Sequence, residues 1–262
     1  MDLQLKDKHV LITGGSRGIG LACARQFLRE GCKVTLVARD PQRLEQARIA
    51  LGAAPDAVAG YSADLTDAGA SQRLVEAVEA ERGPVDILVN SAGAARRTPF
   101  HELQPQAWHD AMQAKFFTYI HVMDPLVKRM GARGRGAIVN VIGMGGKMAT
   151  TTHLAGGAAN AALMLATAGL AAAWGPKGVR INAVNPSLTL TDRLEEGLAA
   201  EARLKNTTAD AVLKEAEAKM PLGRLAKPED IADAVAFLAS PRAGYVSGAI
   251  LSMDGAQTPM VV

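Results

Sequence analysis

The chain has 262 residues, of which 48% are hydrophobic, 21% are charged and 4% are aromatic. This composition is typical of a globular protein and excludes a disordered or fibrous chain. The net charge is only +3 and no dense run of Lys or Arg occurs, so the sequence does not predict a nucleic-acid binder. Two cysteines, Cys23 and Cys32, are too few for a disulfide framework. Because the first residues also lack the apolar core of a signal peptide, we expect a cytoplasmic protein.

Short apolar runs alternate with longer segments of helical spacing along the chain. The runs predict strands at residues 9–12, 34–38, 57–62, 85–90, 137–142, 179–184 and 249–252. The longer segments predict helices at residues 19–30, 41–51, 67–82, 105–130, 154–174, 192–219 and 228–239. This alternation predicts a Rossmann-type, doubly wound α/β fold, with a parallel sheet and helices on both of its faces. Since no linker or repeat interrupts the pattern, residues 1–262 are expected to form a single domain.

The predicted helix 154–174 is the one segment that resembles a membrane span. It carries no charged residue and is 21 residues long, which is enough to cross a bilayer. Most of its residues are alanine or glycine, however, and small residues give little transfer free energy. We therefore predict a core helix without membrane association. Its alanine-rich outer side is expected to pack against a second copy of the chain, in a dimer or a tetramer.

A glycine-rich turn follows the first predicted strand, at residues 13–20 (TGGSRGIG). Glycines there permit a tight turn and let backbone N–H groups approach a pyrophosphate, which the N-terminus of the next helix also stabilises. The place of the turn, between the first strand and the first helix, predicts a nucleotide-binding loop.

The same turn resembles the TGxxxGxG turn of the short-chain dehydrogenase/reductase family, in its compact single-domain form. Residues 90–93 (NSAG) resemble that family's NNAG motif, and residues 178–186 (GVRINAVNP) resemble its sixth strand and the turn that follows. Matches at residues 221–224, 228–230 and 253–255 extend the resemblance over nearly the whole chain. It implies oxidoreductase chemistry on a small-molecule substrate with a nicotinamide cofactor, and a lid-like helical insertion at about residues 190–220.

The resemblance also implies a cofactor-binding surface. Its residues come from the glycine-rich turn, the ends of the third and fourth strands and the turn after the sixth: Gly14, Ser16, Arg17, Gly18, Ile19, Gly20, Asp64, Leu65, Asn90, Ser91, Ala92, Gly93, Pro186 and Leu188. Asp64 would flank the adenine or, alternatively, cap a turn.

The choice of cofactor follows from charge near the second strand. Family members that use NAD carry an acidic residue at the position of Ala38, which is neutral here and is followed by Arg39. Arg17 and Arg39 would form forked, charge-assisted hydrogen bonds to a 2′-phosphate, unless both are merely solvated at the surface. The sequence therefore predicts NADP(H) rather than NAD(H).

The proton-transfer residues of the family have no counterpart at the matching positions. Family members use a Tyr, a Lys four residues later, an upstream Ser and an Asn on the long central helix. None of the three tyrosines here is followed by Lys at that spacing. Counting from neighbouring motifs places Lys115 at the Asn position, Gly143 at the Ser, Gly156 at the Tyr and Asn160 at the Lys. Because glycine has no side chain that could move a proton, we expect a non-standard active site.

Two titratable side chains are candidates for the missing acid. Lys115 ranks first because its position faces inward, and an apolar pocket lowers the pKa of a lysine toward neutrality. Alternatively, Lys115 contacts the cofactor or an anionic group of the substrate. His153 ranks second, because imidazole titrates near neutral pH, although a histidine at a helix start also serves as a cap or a packing residue.

Three functions are compatible with these residues. The first is an NADP(H)-dependent oxidoreductase with a replaced proton donor, acting on a small carbonyl, imine or alcohol. The second is a catalytically inactive NADP(H)-binding sensor or assembly subunit, and the third is a non-redox lyase or isomerase. The intact nucleotide-binding half favours the first two, and no metal site is predicted.

Overall fold

A parallel β-sheet with helices on both faces forms the centre of the protein. The computed structural model describes residues 1–93 and 95–260, apart from the side chains of Arg193 and Glu196. The strands are β1 His9–Thr13, β2 Lys33–Ala38, β3 Val58–Ser62, β4 Ile87–Asn90, β5 Gly136–Val141, β6 Val179–Pro186 and β7 Ile250–Met253. The helices are α1 Gly18–Arg29, α2 Pro41–Leu51, α3 Ala68–Arg82, α4 Pro105–Ala111, α5 Thr118–Arg133, α6 Leu154–Trp174, α7 Asp192–Lys205, α8 Ala209–Ala218 and α9 Pro228–Ala239. The seven strands lie in the order β3-β2-β1-β4-β5-β6-β7, so the doubly wound α/β prediction is confirmed.

Alternate residues of the strands enter two separate cores. In β1, Val10 and Ile12 belong to a cluster that includes Phe27 of α1. Leu11, between them, belongs to a second cluster with Leu126 of α5. Successive side chains of a strand point to opposite faces, so a sheet covered on both faces requires strands that are apolar throughout. This requirement explains the nearly continuous apolar runs in the sequence.

The predicted helix 105–130 differs from the observed structure. It is divided into α4, a π-helical turn at Met112–Phe117 and α5. A π-helical turn is rare and often occurs at functional sites, and this one carries Lys115.

The predicted helical region 192–219 is also divided, between α7 and α8. Asn206 ends α7 in the left-handed conformation, with φ 50°. The Thr208 side chain then caps α8 by accepting a hydrogen bond from the Ala211 N–H at 3.2 Å. Both residues are of types that favour these positions.

The long apolar helix α6 lies along the sheet. Among the described residues, Leu154–Lys177 is the one helical stretch long and apolar enough to cross a membrane by length and composition. Leu163 on its inner side is buried against Ile142 and Ala183. Leu165 on its outer side is 77% exposed. One buried face and one open face are what a core helix of a layered domain shows.

Candidate functional site

The carboxyl ends of the strands open into a cleft of about 810 Å³. Parallel α/β sheets bind ligands at this edge, where the strand order reverses. The cleft brings together most of the residues predicted to contact a cofactor, namely Gly14, Ser16, Arg17, Gly18, Ile19, Arg39, Asp64, Leu65, Ser91, Ala92, Gly93, Pro186 and Leu188. Lys115, Gly143, His153 and Asn160 line the same cleft. Since β5 and β6 lie across the sheet from β2 and β3, these four residues lie at one end of the cleft. The other end, beside β2 and β3, is called the adenine end here, after the prediction from the sequence.

Three of the predicted site residues, Gly20, Asn90 and Gly156, are not among those that line the cleft. Gly20 provides space, because a Cβ there would lie 2.8 Å from the Gly14 carbonyl carbon. Asn90 is buried within the sheet and donates a hydrogen bond from Nδ2 to Asn140 Oδ1 at 3.0 Å. Gly20 therefore allows α1 to approach the glycine-rich turn, and Asn90 links β4 to β5 beneath the cleft.

The turn between β1 and α1 fits a dinucleotide pyrophosphate. Gly14 has φ 68°, and a Cβ there would lie 2.8 Å from the Ser91 backbone. Among the described residues, no side chain caps α1, and its first turn contains no acidic residue. Its first N–H groups are therefore available to an anion in the cleft.

Three guanidinium groups surround the adenine end of the cleft. Arg17 and Arg39, the two predicted contacts of a 2′-phosphate, are exposed and line it. Arg43, which was not predicted from the sequence, also lines it. Its Nε atom lies 3.4 Å from the Asp40 carboxylate. Its signal was the spacing of four residues from Arg39 across the start of α2.

Asp64 caps a turn, as one of its two alternatives predicts, and it also lines the cleft. Its Oδ1 accepts hydrogen bonds from the Thr66 N–H at 3.0 Å and from the Thr66 hydroxyl at 2.8 Å. These two hydrogen bonds, assisted by the charge of Arg39, lower the pKa of the Asp64 carboxyl. The group is thus held as a carboxylate.

Lys115 is buried at the other end of the cleft, on the π-helical turn. Its Nζ donates to the Val141 carbonyl at 3.1 Å and to the Tyr119 hydroxyl at 2.8 Å. The same Nζ lies 4.5 Å from the centre of the Tyr119 ring. Tyr119 was missed in the sequence, where the spacing KxxxY on a helix was the available signal. These contacts fix the ammonium beside the end of β5.

The imidazole of His153 lies over Gly156 at the start of α6. A Cβ on Gly156 would be 2.6 Å from His153 Nε2 and 2.7 Å from Nδ1. A Cβ on Gly145 would be 2.9 Å from His153 Cδ2. The ring therefore occupies the space into which a side chain at either position would project. His153 is the N-cap residue of α6, but its side chain makes no capping hydrogen bond.

Asn160 lies beside Gly143, on the side of α6 that faces the cleft. Its Nδ2 is 3.3 Å from where a Cβ on Gly143 would be, and 3.6 Å from that of Gly145. The Gly143 N–H donates to Asn185 Oδ1 at 3.2 Å, and the residue has φ 134°, a backbone conformation that favours glycine. The positions marked in the sequence therefore lie close together. The imidazole of His153 lies over Gly156, and the amide of Asn160 lies beside Gly143.

Comparison with known proteins gives matches over almost the full chain. The family model described as enoyl-(acyl carrier protein) reductase matches residues 14–258. D-threitol dehydrogenase of Mycolicibacterium smegmatis is 35% identical over 98% of this chain and 95% of its own. The 3-oxoacyl-(acyl-carrier-protein) reductase of Vibrio cholerae is 31% identical over 97% of this chain and 98% of its own.

Solved structures show the same architecture. L-sorbose reductase from Gluconobacter frateurii, complexed with NADPH and L-sorbose, superposes with a TM-score of 0.90 at 30% identity, covering 100% of both chains. Actinorhodin polyketide ketoreductase with NADPH superposes with a TM-score of 0.91 at 28% identity, over 96% of this chain and 97% of its own.

Proposed function

The chain belongs to the short-chain dehydrogenase/reductase family, and we propose that it is an NADP(H)-dependent oxidoreductase that acts on a small carbonyl, imine or alcohol. One observation carries the proposal: the His153 imidazole occupies the space above Gly156, where the family's tyrosine side chain would project. On this proposal the four standard proton-transfer residues are absent, with Lys115, Gly143, Gly156 and Asn160 at their positions, and the acid is replaced rather than lost.

The cofactor end supports NADP(H). When bound, this cofactor supplies or accepts the hydride. The glycine-rich turn and the uncapped N-terminus of α1 suit its pyrophosphate. Arg17, Arg39 and Arg43 together offer forked hydrogen bonds to a 2′-phosphate. Both structural neighbours described above were solved with NADPH, which is consistent with this choice.

The other end supplies proton transfer and polarisation. For reduction, His153 in its protonated form donates a proton to the substrate oxygen or nitrogen, and for oxidation the neutral ring accepts one. Asn160 orients the same atom through its amide N–H. It thereby takes the role of the family's serine, whose position is occupied by Gly143. The Lys115 ammonium stabilises the negative charge that develops there. The sequence ranks Lys115 above His153, but the geometry favours the reverse order, because the imidazole lies where a side chain at Gly156 would project.

Helices α7 and α8 form the proposed lid within a single domain. They share a small core of their own, which includes Leu194, Leu198 and Val212. The same three residues line the cleft, so movement of this pair would open or close the substrate end.

Assembly is proposed through α6. Its outer side is rich in alanine, and the exposed Leu165 lies there. A second copy of the chain would bury this apolar surface, giving a dimer or a tetramer.

The decisive experiment measures NADPH consumption with a panel of carbonyl compounds and imines. It also measures NADP⁺ reduction with the matching alcohols and amines. We expect turnover, and a loss of about 10²- to 10⁴-fold in kcat in His153→Phe, because a general acid is removed. Lys115→Met serves as the comparison and should reduce kcat less. NADPH binding without turnover of any compound would contradict the proposal and favour a binding protein. Full turnover in His153→Phe would exclude His153 as the proton donor.

A further inference from the structure

Arg97 places a positive charge inside the cleft, away from the three arginines of the adenine end. It follows β4 in the chain, lines the cleft and is partly buried. Burial lowers the pKa of its guanidinium, and the charge of Glu201 acts in the opposite direction. Among the residues that the structure describes, none forms a hydrogen bond or an ion pair with this guanidinium. A partly buried guanidinium keeps its charge at a lower cost when an anionic oxygen accepts its hydrogen bonds, so such a ligand is favoured in the cleft.

The backbone places Arg97 on the same side of the cleft as His153. The Thr98 N–H donates to the Thr152 carbonyl at 3.0 Å, which ties the segment of Arg97 to the residue preceding His153. Ala95 packs against Ala155 in the first turn of α6. The two segments therefore run side by side into the substrate end.

The lid helix leaves room for the guanidinium. A Cβ on Gly197 of α7 would lie 3.0 Å from Arg97 Nε and 3.4 Å from its Cδ. Glycine is unfavourable in a helix interior, yet here it lets the arginine side chain lie against the helix. One turn later, Glu201 also lines the cleft, but its carboxylate is engaged by Lys205 at 3.1 Å. The N–H donors of the Arg97 fork thus remain available to an acceptor in the cleft.

We infer that the substrate carries an anionic oxygen group, a carboxylate or a phosphate, which Arg97 binds while the reacting carbon lies beside His153. A guanidinium fork matches both groups bidentately. The inference rests on the proposed oxidoreductase function for its account of turnover, but the anion site itself rests on Arg97 and its surroundings.

The kinetic test uses pairs of compounds that differ in one charge. NADPH oxidation is measured with 3-oxobutanoate against its methyl ester, and with dihydroxyacetone phosphate against dihydroxyacetone. We expect the anionic member of one pair to have the higher kcat/KM, and that pair identifies the group. Arg97→Gln should lower this value by about tenfold to hundredfold, mainly through KM, and leave the neutral member unchanged. Arg97→Lys should retain part of the effect. Arg96→Gln is the control, since Arg96 is exposed and does not line the cleft.

A binding test does not depend on turnover. The NADPH-loaded protein is titrated by calorimetry with butanoate and with inorganic phosphate, in the wild type, Arg97→Gln and Arg96→Gln. Weakened binding in Arg97→Gln alone supports the anion site even if no compound is reduced, in which case only the oxidoreductase proposal fails. Equal kcat/KM for the two members of both pairs, with turnover intact, overturns the inference and leaves the oxidoreductase proposal standing. Binding of neither anion to the wild type, or equal binding to both variants, also overturns it.

Discussion

Replacing Gly156 by alanine should displace the His153 imidazole from its position at the start of α6. The added Cβ would lie 2.6 Å from Nε2 and 2.7 Å from Nδ1. Non-bonded atoms of this kind prefer a separation of about 3.5 Å, so the ring must move by about 1 Å. The backbone of α6 has little room to move toward residue 145, because a Cβ on the next residue, Gly157, would lie only 2.6 Å from the Gly145 carbonyl oxygen.

A displacement of that size should strongly reduce proton transfer. A misplacement of about 1 Å in a catalytic group lowers the rate on the order of 10²-fold. The upper bound is the effect of removing the acid, about 10²- to 10⁴-fold. We therefore expect kcat in Gly156→Ala to fall at least about 10²-fold, with an unchanged Kd for NADPH, since Gly156 does not line the cleft. Steady-state NADPH oxidation gives kcat, and fluorescence titration gives Kd.

Gly169→Ala is the matched control, because it makes the same change in the same helix. Within the part of the chain that the structure describes, nothing lies within 4 Å of a Cβ at Gly169. The free energy of unfolding should therefore rise by about 0.8–1.0 kcal/mol from helix propensity alone, with kcat unchanged. Gly169 is one turn from Leu165 on the outer side of α6, so light scattering must first show that this variant keeps the mass of the wild type. If Gly156→Ala behaves like this control, with higher stability and full kcat, the imidazole does not act from the place described for it.

Two further predictions concern the cofactor and the assembly. Arg39→Asp should weaken NADPH binding by roughly 1.5–3 kcal/mol in a fluorescence titration and spare NADH, because a charge-assisted contact to the 2′-phosphate is lost; equal loss for both cofactors would show that Arg39 does not contact that phosphate. Light scattering at micromolar concentration should give a mass that is a multiple of the 27.4 kDa of one chain, since the outer side of α6 is apolar; a monomer mass would rule out the proposed assembly.

The sheet could be predicted from the sequence because burial on both faces produces a simple pattern. Every strand that the alternation of apolar runs indicates is present in the structure. The division of residues 105–130 could not be predicted in this way, because helical periodicity continues through it. The π-helical turn at Met112–Phe117 accompanies long-range contacts of Lys115 with the end of β5, and local propensity carries no information about such contacts.

The site was predictable only where local sequence determines its shape. The glycine-rich turn lies within one strand–turn–helix unit, so its residues could be assigned from spacing. Arg97 could not, because its place in the cleft depends on a hydrogen bond between Thr98 and Thr152, which are distant in the chain. Likewise, no pattern indicates that the ring of His153 lies over Gly156, since that depends on how the chain enters α6.

On the proposed function, the residues around His153 depend on one another for space, and this favours replacement of the proton donor over its loss. A site that had only lost its tyrosine would leave empty space, which a larger side chain at Gly145 or Gly156 could fill without penalty. Here a Cβ at either position would collide with the imidazole. For the same reason Gly156→Tyr cannot restore the family's arrangement while His153 remains, even together with Gly143→Ser and Asn160→Lys. The position of the ring requires glycine at both places. On the proposed function, the ring lies at the substrate end of the cleft, where a proton must be transferred to complete a reduction.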